Sequence, residues 1–251
     1  MSRLPSTARS RTRKLLLAPG EARVATAGYL DTLPVGAERA PGIAQRAMHL
    51  SLLPTIYERA WRPLLFTAFT GRTTGAETAL MLRRLGPRPG ERMLDIACGP
   101  GNTTRRLAEH AGDDGLVVGL DFAAGMLARA VADTPQRNVA YVRGDANALP
   151  FPGGSFDVVS CFGALYMLPD PAAALAEMSR VLAPGGRVCV LTASTGIGGP
   201  LSAVPHQLGR LSGFNLQQPS FVADHLRDAG LERVSVDARG VGQLIAARRP
   251  A

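Results

Sequence analysis

The feature that most constrains the fold is a short apolar run that ends in a glycine turn and passes at once into helical spacing. Met93 to Ala97 is the run, Cys98-Gly99-Pro100-Gly101 the turn, and Thr103 to His110 the helical stretch. The alternation repeats downstream. Leu116 to Leu120 reads as a strand ending at Asp121, Ala123 to Ala132 as a helix, and Val139 to Arg143 and Phe156 to Phe162 as strands. Pro171 to Leu182 reads as a helix with proline in its first turn, and Arg187 to Thr192 as a strand after Pro184-Gly185-Gly186. Units of this length predict a parallel sheet with helices on both faces. Leu231 to Asp237 and Val241 to Ala247, joined at Arg239-Gly240, predict an antiparallel finish. The expected fold is therefore α/β, with a doubly wound, mostly parallel, seven-stranded sheet. Ligands on such sheets lie at the carboxyl ends of the strands, near the point where strand order reverses.

The segments upstream read differently. Residues 1–44 show no sustained periodicity and carry seven basic residues against three acidic ones, half of the chain's net charge of +8. They are expected to be a basic, poorly ordered leader. Residues 45–251 form the remaining domain. Within it, 48–85 predict a helical cap, from Leu52, Leu53, Ile56, Tyr57, Ala60 and Trp61 at helical spacing and a second helix from Thr74 to Leu85. Residues 91–192 form the ligand-binding core, and 193–251 an acceptor-side segment and terminal hairpin. The basic excess is spread without a basic helix face, and Lys14 is the only lysine. That distribution argues against nucleic acid as a partner. No apolar run reaches the roughly 20 residues of a membrane span, so a cytoplasmic location is expected, with peripheral membrane contact left open. Cys98, Cys161 and Cys189 lack metal-ligand spacing and sit in or beside predicted core strands, so buried free thiols are expected and no metal.

Three acids carry the chemistry. Asp95 lies near the end of the first core strand, beside a loop whose Gly99 and Gly101 let a ligand approach the backbone. The following helix offers free N–H groups to an anion. A tight turn without a ligand is the plain alternative. A dinucleotide fingerprint wants a glycine at position 104, where this chain has threonine, and that argues against NAD. Asp121 ends the second strand, twenty residues beyond Gly101, where a carboxylate can accept both hydroxyls of a ribose or simply cap the next helix. Asp145 and Ala146 follow the third strand, where they can read an adenine edge, with Phe122 and Met126 as apolar walls.

These residues resemble a known family. Arg92-Met93-Leu94-Asp95-Ile96-Ala97-Cys98-Gly99-Pro100-Gly101 looks like the first motif of class I S-adenosylmethionine-dependent methyltransferases. Val118-Gly119-Leu120-Asp121 is similar to the next motif, Asp145-Ala146 with Leu149-Pro150-Phe151 and Ser155 to Val159 to the third, and Leu182 to Arg187 to the entry into strand five. The likeness covers about residues 74–192 and is greatest to the branch of ubiquinone and menaquinone methyltransferases. Ala97 stands where many members have glycine. The resemblance implies S-adenosylmethionine as cofactor, with Asp95, Gly99 and Gly101 around its methionine moiety and Ala97 and Pro100 of the same loop among the cofactor-binding residues. Asp121 would hold the ribose, Asp145 and Ala146 the adenine, and Cys161 with Phe162 the floor near the sulfonium.

The implied reaction is methyl transfer to a small, apolar molecule. Holding acceptor and methyl in line supplies much of the rate, and a base is needed only where the acceptor must lose a proton. Tyr166 and His206 are the candidates for that role; packing and solvent exposure are their plain alternatives. His49, His110 and His225 read as helix or surface histidines. The competing functions are a non-catalytic binder of the same cofactor and, more remotely, an NAD-dependent oxidoreductase.

Overall fold

The computed structural model describes residues 6–37, 72–195 and 215–251. β-Branched and apolar runs bounded by glycine and aspartate set the central strands: β3 (Arg92–Ile96), β4 (Leu116–Asp121), β5 (Val139–Arg143), β6 (Phe156–Phe162) and β7 (Leu182–Ala193). They lie parallel in the order β5-β4-β3-β6-β7. The chain moves outward from β3 in one direction through β4 and β5, then returns to β6 on its other side. The reversal point is therefore between β3 and β6, beside the glycine loop. The terminal hairpin β8 (Glu232–Arg239) and β9 (Gly242–Arg248) joins β7 antiparallel through β9, as its tight turn predicted.

The sheet has nine strands rather than the expected seven. The extra two are β1 (Arg23–Val24) and β2 (Leu30–Asp31), a short antiparallel hairpin whose β2 lies parallel to β5. Both fall in the segment expected to be a poorly ordered leader, and that expectation fails for residues 6–37. Helix α1 (Ser6–Leu15) turns Ala8 and Thr12 inward at four-residue spacing, and Leu16 continues the buried row. Its arginines cross to backbone carbonyls of the same chain. Arg9 donates to Gly28, Arg11 to Gly115 and Asp114, and Arg13 to Pro19. The connection from β5 to β6 carries no helix, and α1 covers the β4–β5 surface on that side, with the Leu17 amide donating to the Pro150 carbonyl at 2.9 Å.

Two apolar layers result. On one face α2 (Thr74–Leu85), α3 (Asn102–Ala111) and α4 (Ala124–Asp133) bury Met81, Leu85, Leu107, Leu127 and Val131 against Met93, Val117 and Tyr141. On the other, α1, α5 (Pro171–Val181) and α6 (Phe221–Asp228) bury Leu175, Met178, Val222 and Leu226 against Leu94, Val118 and Val159. Each such aliphatic side chain contributes roughly 1.5–3 kcal/mol by burial. Helix ends follow local rules. Thr73 accepts from the Ala76 amide to start α2, and Gly86 closes it in left-handed conformation. Asp170 caps α5, with Pro171 in its first turn. The first part of the expected cap, residues 48–71, lies outside the described residues. Among those described, no helix is long and apolar enough to cross a membrane.

Candidate cofactor site

The loop leaving β3 turns sharply. Ala97, Gly99 and Gly101 all have positive φ, at +53°, +54° and +80°. Gly101 is fixed twice over. A Cβ there would stand 2.2 Å from Tyr141 Oη and 3.0 Å from its Cζ. The Tyr141 ring lies over Gly119, where a Cβ would come within 2.6 Å of it, and the hydroxyl pairs with Thr134 Oγ1 at 2.8 Å. Tyr141 is thus a buried prop beneath the loop. Gly101 then caps α3, whose first turn has no side-chain cap. Ala97 carries a Cβ in a left-handed conformation, a strain of about 1 kcal/mol. Ala97→Gly is expected to raise stability slightly, by up to about 1 kcal/mol net of the greater freedom of the unfolded glycine. Chemical denaturation of the two proteins checks it.

Asp95 lies below the loop with 1% of its surface exposed. One carboxylate oxygen accepts from Thr104 Oγ1 at 2.6 Å and the other from Ser160 Oγ at 2.8 Å. Register places Ser160 directly beside Asp95 on the neighbouring strand. Burial pushes the Asp95 carboxyl up to about 6, against the pull of its two hydroxyl donors. Because the folded value lies above the ordinary one, the native state gains stability as pH falls from about 6 to 4. The size is about 3 kcal/mol. Thr104, first noticed only as the residue that disfavours NAD, is a structural donor to this acid. Neither it nor Ser160 was expected in the site, because the register that sets Ser160 beside Asp95 joins two strands far apart in sequence.

Asp121 ends β4 and joins loop to sheet. Its Oδ2 accepts from the Gly99 amide and its Oδ1 from the Ala123 amide, both at 2.8 Å. The plain helix-cap role is not what forms: Ala123 is the N-cap of α4 and has no side-chain cap, while Asp121 closes the turn before it and still has lone pairs to offer. Burial raises its pKa as well, opposed by backbone donors. Phe122 and Met126 follow, half-buried at the start of α4, and Pro100 is buried in the loop. Asp145 forms a turn by accepting from the Asn147 amide at 2.9 Å, beside buried Ala146. Loop 97–101, Asp121 and Asp145 all stand at the carboxyl ends of β3, β4 and β5.

The pair at the end of β6 divides. Phe162 lies on the sheet face of Asp95 and Ser160. The Cys161 side chain packs on the opposite face with Ile96, in the layer covered by α1, α5 and α6. Successive strand residues alternate faces, so the two side chains cannot share one floor. Burial pushes the Cys161 thiol up to about 12, which leaves it protonated near neutrality. All three cysteines are buried and free. Tyr166 sits half-buried in the turn Leu165–Met167 after β6, its carbonyl accepting from the Asn215 amide at 2.7 Å. His110 and His225 each bond the carbonyl one turn earlier in their own helices. His49 and His206 lie outside the described residues.

Residues 94–190 match the family model described as a methyltransferase domain. The domain is also similar to demethylmenaquinone methyltransferases. It is 44% identical to that of Beutenbergia cavernae over 137 residues, covering 54% of this chain and 52% of the relative. It is 43% identical to that of Lactococcus lactis over 118 residues, covering 45% and 47%. The chain spans about half the length of these curated relatives. Among solved structures, phosphoethanolamine N-methyltransferase 2 of Haemonchus contortus in complex with S-adenosyl-L-methionine shares the methyltransferase-domain fold. The TM-score is 0.62 at 21% identity, over 70% of this chain and 53% of that one.

Proposed function

We propose that this chain binds S-adenosylmethionine over the Asp95–Gly101 loop and transfers its methyl group to a small apolar acceptor. The observation that carries this reading is the Asp121 carboxylate, fixed to the loop through the Gly99 amide and still able to accept from a ribose. The supporting parts fit the same ligand. A Cβ direction at Gly99 meets nothing, so the loop is open there; Phe122 and Met126 wall the adenosine end beside Asp145 and Ala146, and buried Asp95 supplies negative charge beneath the cationic half. Bound there, the cofactor supplies an activated methyl on a good leaving group. The chain's residues then act by orientation and by excluding water. Demethylmenaquinone methyltransferases among the relatives support a quinone-like ring acceptor. Tyr166, on the acceptor side of β6, is the candidate to take or hold an acceptor proton.

Calorimetry with S-adenosylmethionine, followed by detection of S-adenosylhomocysteine with quinol-type acceptors, tests the reading. Absent binding refutes it. Binding without turnover across acceptors leaves a cofactor binder instead. A pH profile adds a sharper check. Asp95 ionises at about 6, so cofactor affinity is expected to be constant above pH 7 and to fall as pH drops through 6. Asp95→Asn is expected to flatten that dependence and lower affinity throughout.

A further inference from the structure

Arg143 ends β5 in register with Asp121, the nearest strand neighbour of the proposed ribose-binding acid. Residues paired across parallel strands project to the same face, so a long guanidinium here is placed to neutralise that carboxylate. It does not. Its Nη1 lies 3.3 Å from Asp31 Oδ2, its Nη2 donates to the Ala37 carbonyl at 3.0 Å, and its Nε donates to the Phe122 carbonyl at 3.1 Å. The guanidinium carbon rests 5.7 Å from the Phe122 ring centre. Asp31 is itself held in place: it accepts from the Leu33 amide at 3.1 Å and lies 3.4 Å from Arg23. Thr32 fastens the same turn to β5, its amide and hydroxyl both donating to the Arg143 carbonyl. Among the described residues Asp121 makes no ion pair, and its donors are backbone amides, those of Gly99 and Ala123 at 2.8 Å with the Phe122 amide beside them.

We infer that Asp31, brought by the N-terminal hairpin, is a positioning residue that holds Arg143 away from Asp121 and so keeps the ribose-binding carboxylate open. The inference rests on the cofactor reading above. Asp31 touches neither cofactor nor acceptor; it acts by competing for a cation. An Asp–Arg pair with only about 15% exposure on each side outweighs a pair reaching across to a carboxylate already carrying two amide bonds. Removing the charge at residue 31 leaves Asp121 as the acid paired with Arg143 in strand register.

Asp31→Asn preserves the acceptor for the Leu33 amide and tests the charge alone. Calorimetry with S-adenosylmethionine is expected to show about tenfold weaker binding, with the KM for cofactor raised and kcat unchanged. The double variant Asp31→Asn/Arg143→Met is expected to recover affinity to within about twofold of wild type, and Asp31→Glu to retain it. A merely structural loss at residue 31 would not be rescued by removing Arg143. Unchanged affinity in Asp31→Asn, or no recovery in the double variant, overturns the inference while wild-type binding stands. No binding by wild type overturns the cofactor reading and this inference together. Should Asp31→Asn not fold, Arg143→Met alone decides: affinity equal to or tighter than wild type supports the inference, and a tenfold loss overturns it.

Discussion

Asp121→Ala is expected to weaken S-adenosylmethionine binding by a factor of a hundred or more while leaving the protein folded. Two losses combine. The ribose loses a charged acceptor, and each such bond contributes roughly 1.5–3 kcal/mol. The Gly99 amide loses its partner as well, so the loop that seats the methionine half is no longer tied to β4. The effect on stability is much smaller, because the two losses of amide bonding are offset by relief of a buried charge whose pKa is already raised. Asp121→Asn separates the parts. It keeps a side-chain oxygen for one of the two amides but removes the charge, so an intermediate affinity is expected. Calorimetry and thermal melting on the three proteins give the comparison. Equal affinity in wild type and Asp121→Ala would remove the ribose assignment.

What was legible in the sequence is what depends on neighbours along the chain. An apolar run, a glycine turn and helical spacing lie within one short stretch from Met93 to His110, and both their order and the site at the carboxyl ends of the strands follow from chain connectivity. Asp121 and Asp145 were readable for the same reason, as acids at strand ends. The N-terminal hairpin was not. Strands of two residues, Arg23–Val24 and Leu30–Asp31, have no periodicity to detect, and they exist because β5 offers an open edge. Helix α1 was hidden by chemistry: its inward row begins with Ala8 and Thr12, and its arginines reach carbonyls rather than an apolar face. Cys161 was misplaced because its position at the end of the fourth core strand outweighed the two-residue period of that strand. Tyr141 escaped notice altogether, since its contact with Gly101 joins a strand residue to a loop residue forty positions away.

That last contact sets the second large effect. Gly101→Ala is expected to destabilise the protein by several kcal/mol and to abolish measurable cofactor binding. The left-handed φ of +80° alone strains an alanine by about 1–2 kcal/mol. The new Cβ would also stand 2.2 Å from Tyr141 Oη, a distance no packed pair tolerates. Tyr141 cannot retreat, because it is 1% exposed, lies against Gly119 and holds Thr134. The loop must therefore move, taking the Gly99 amide off Asp121. For a chain of this size, a loss of 3 kcal/mol lowers the melting temperature by roughly 6–12 °C. Tyr141→Phe tests the cause. It deletes the oxygen at 2.2 Å but leaves the ring carbon at 3.0 Å, and Thr134 keeps its bond to the Ala130 carbonyl. Tyr141→Phe in the Gly101→Ala background is expected to restore part of the melting temperature and some cofactor affinity, although the strain in φ persists. If the double variant is no more stable than Gly101→Ala, the loop is set by its own backbone preferences and Tyr141 is not the prop beneath it.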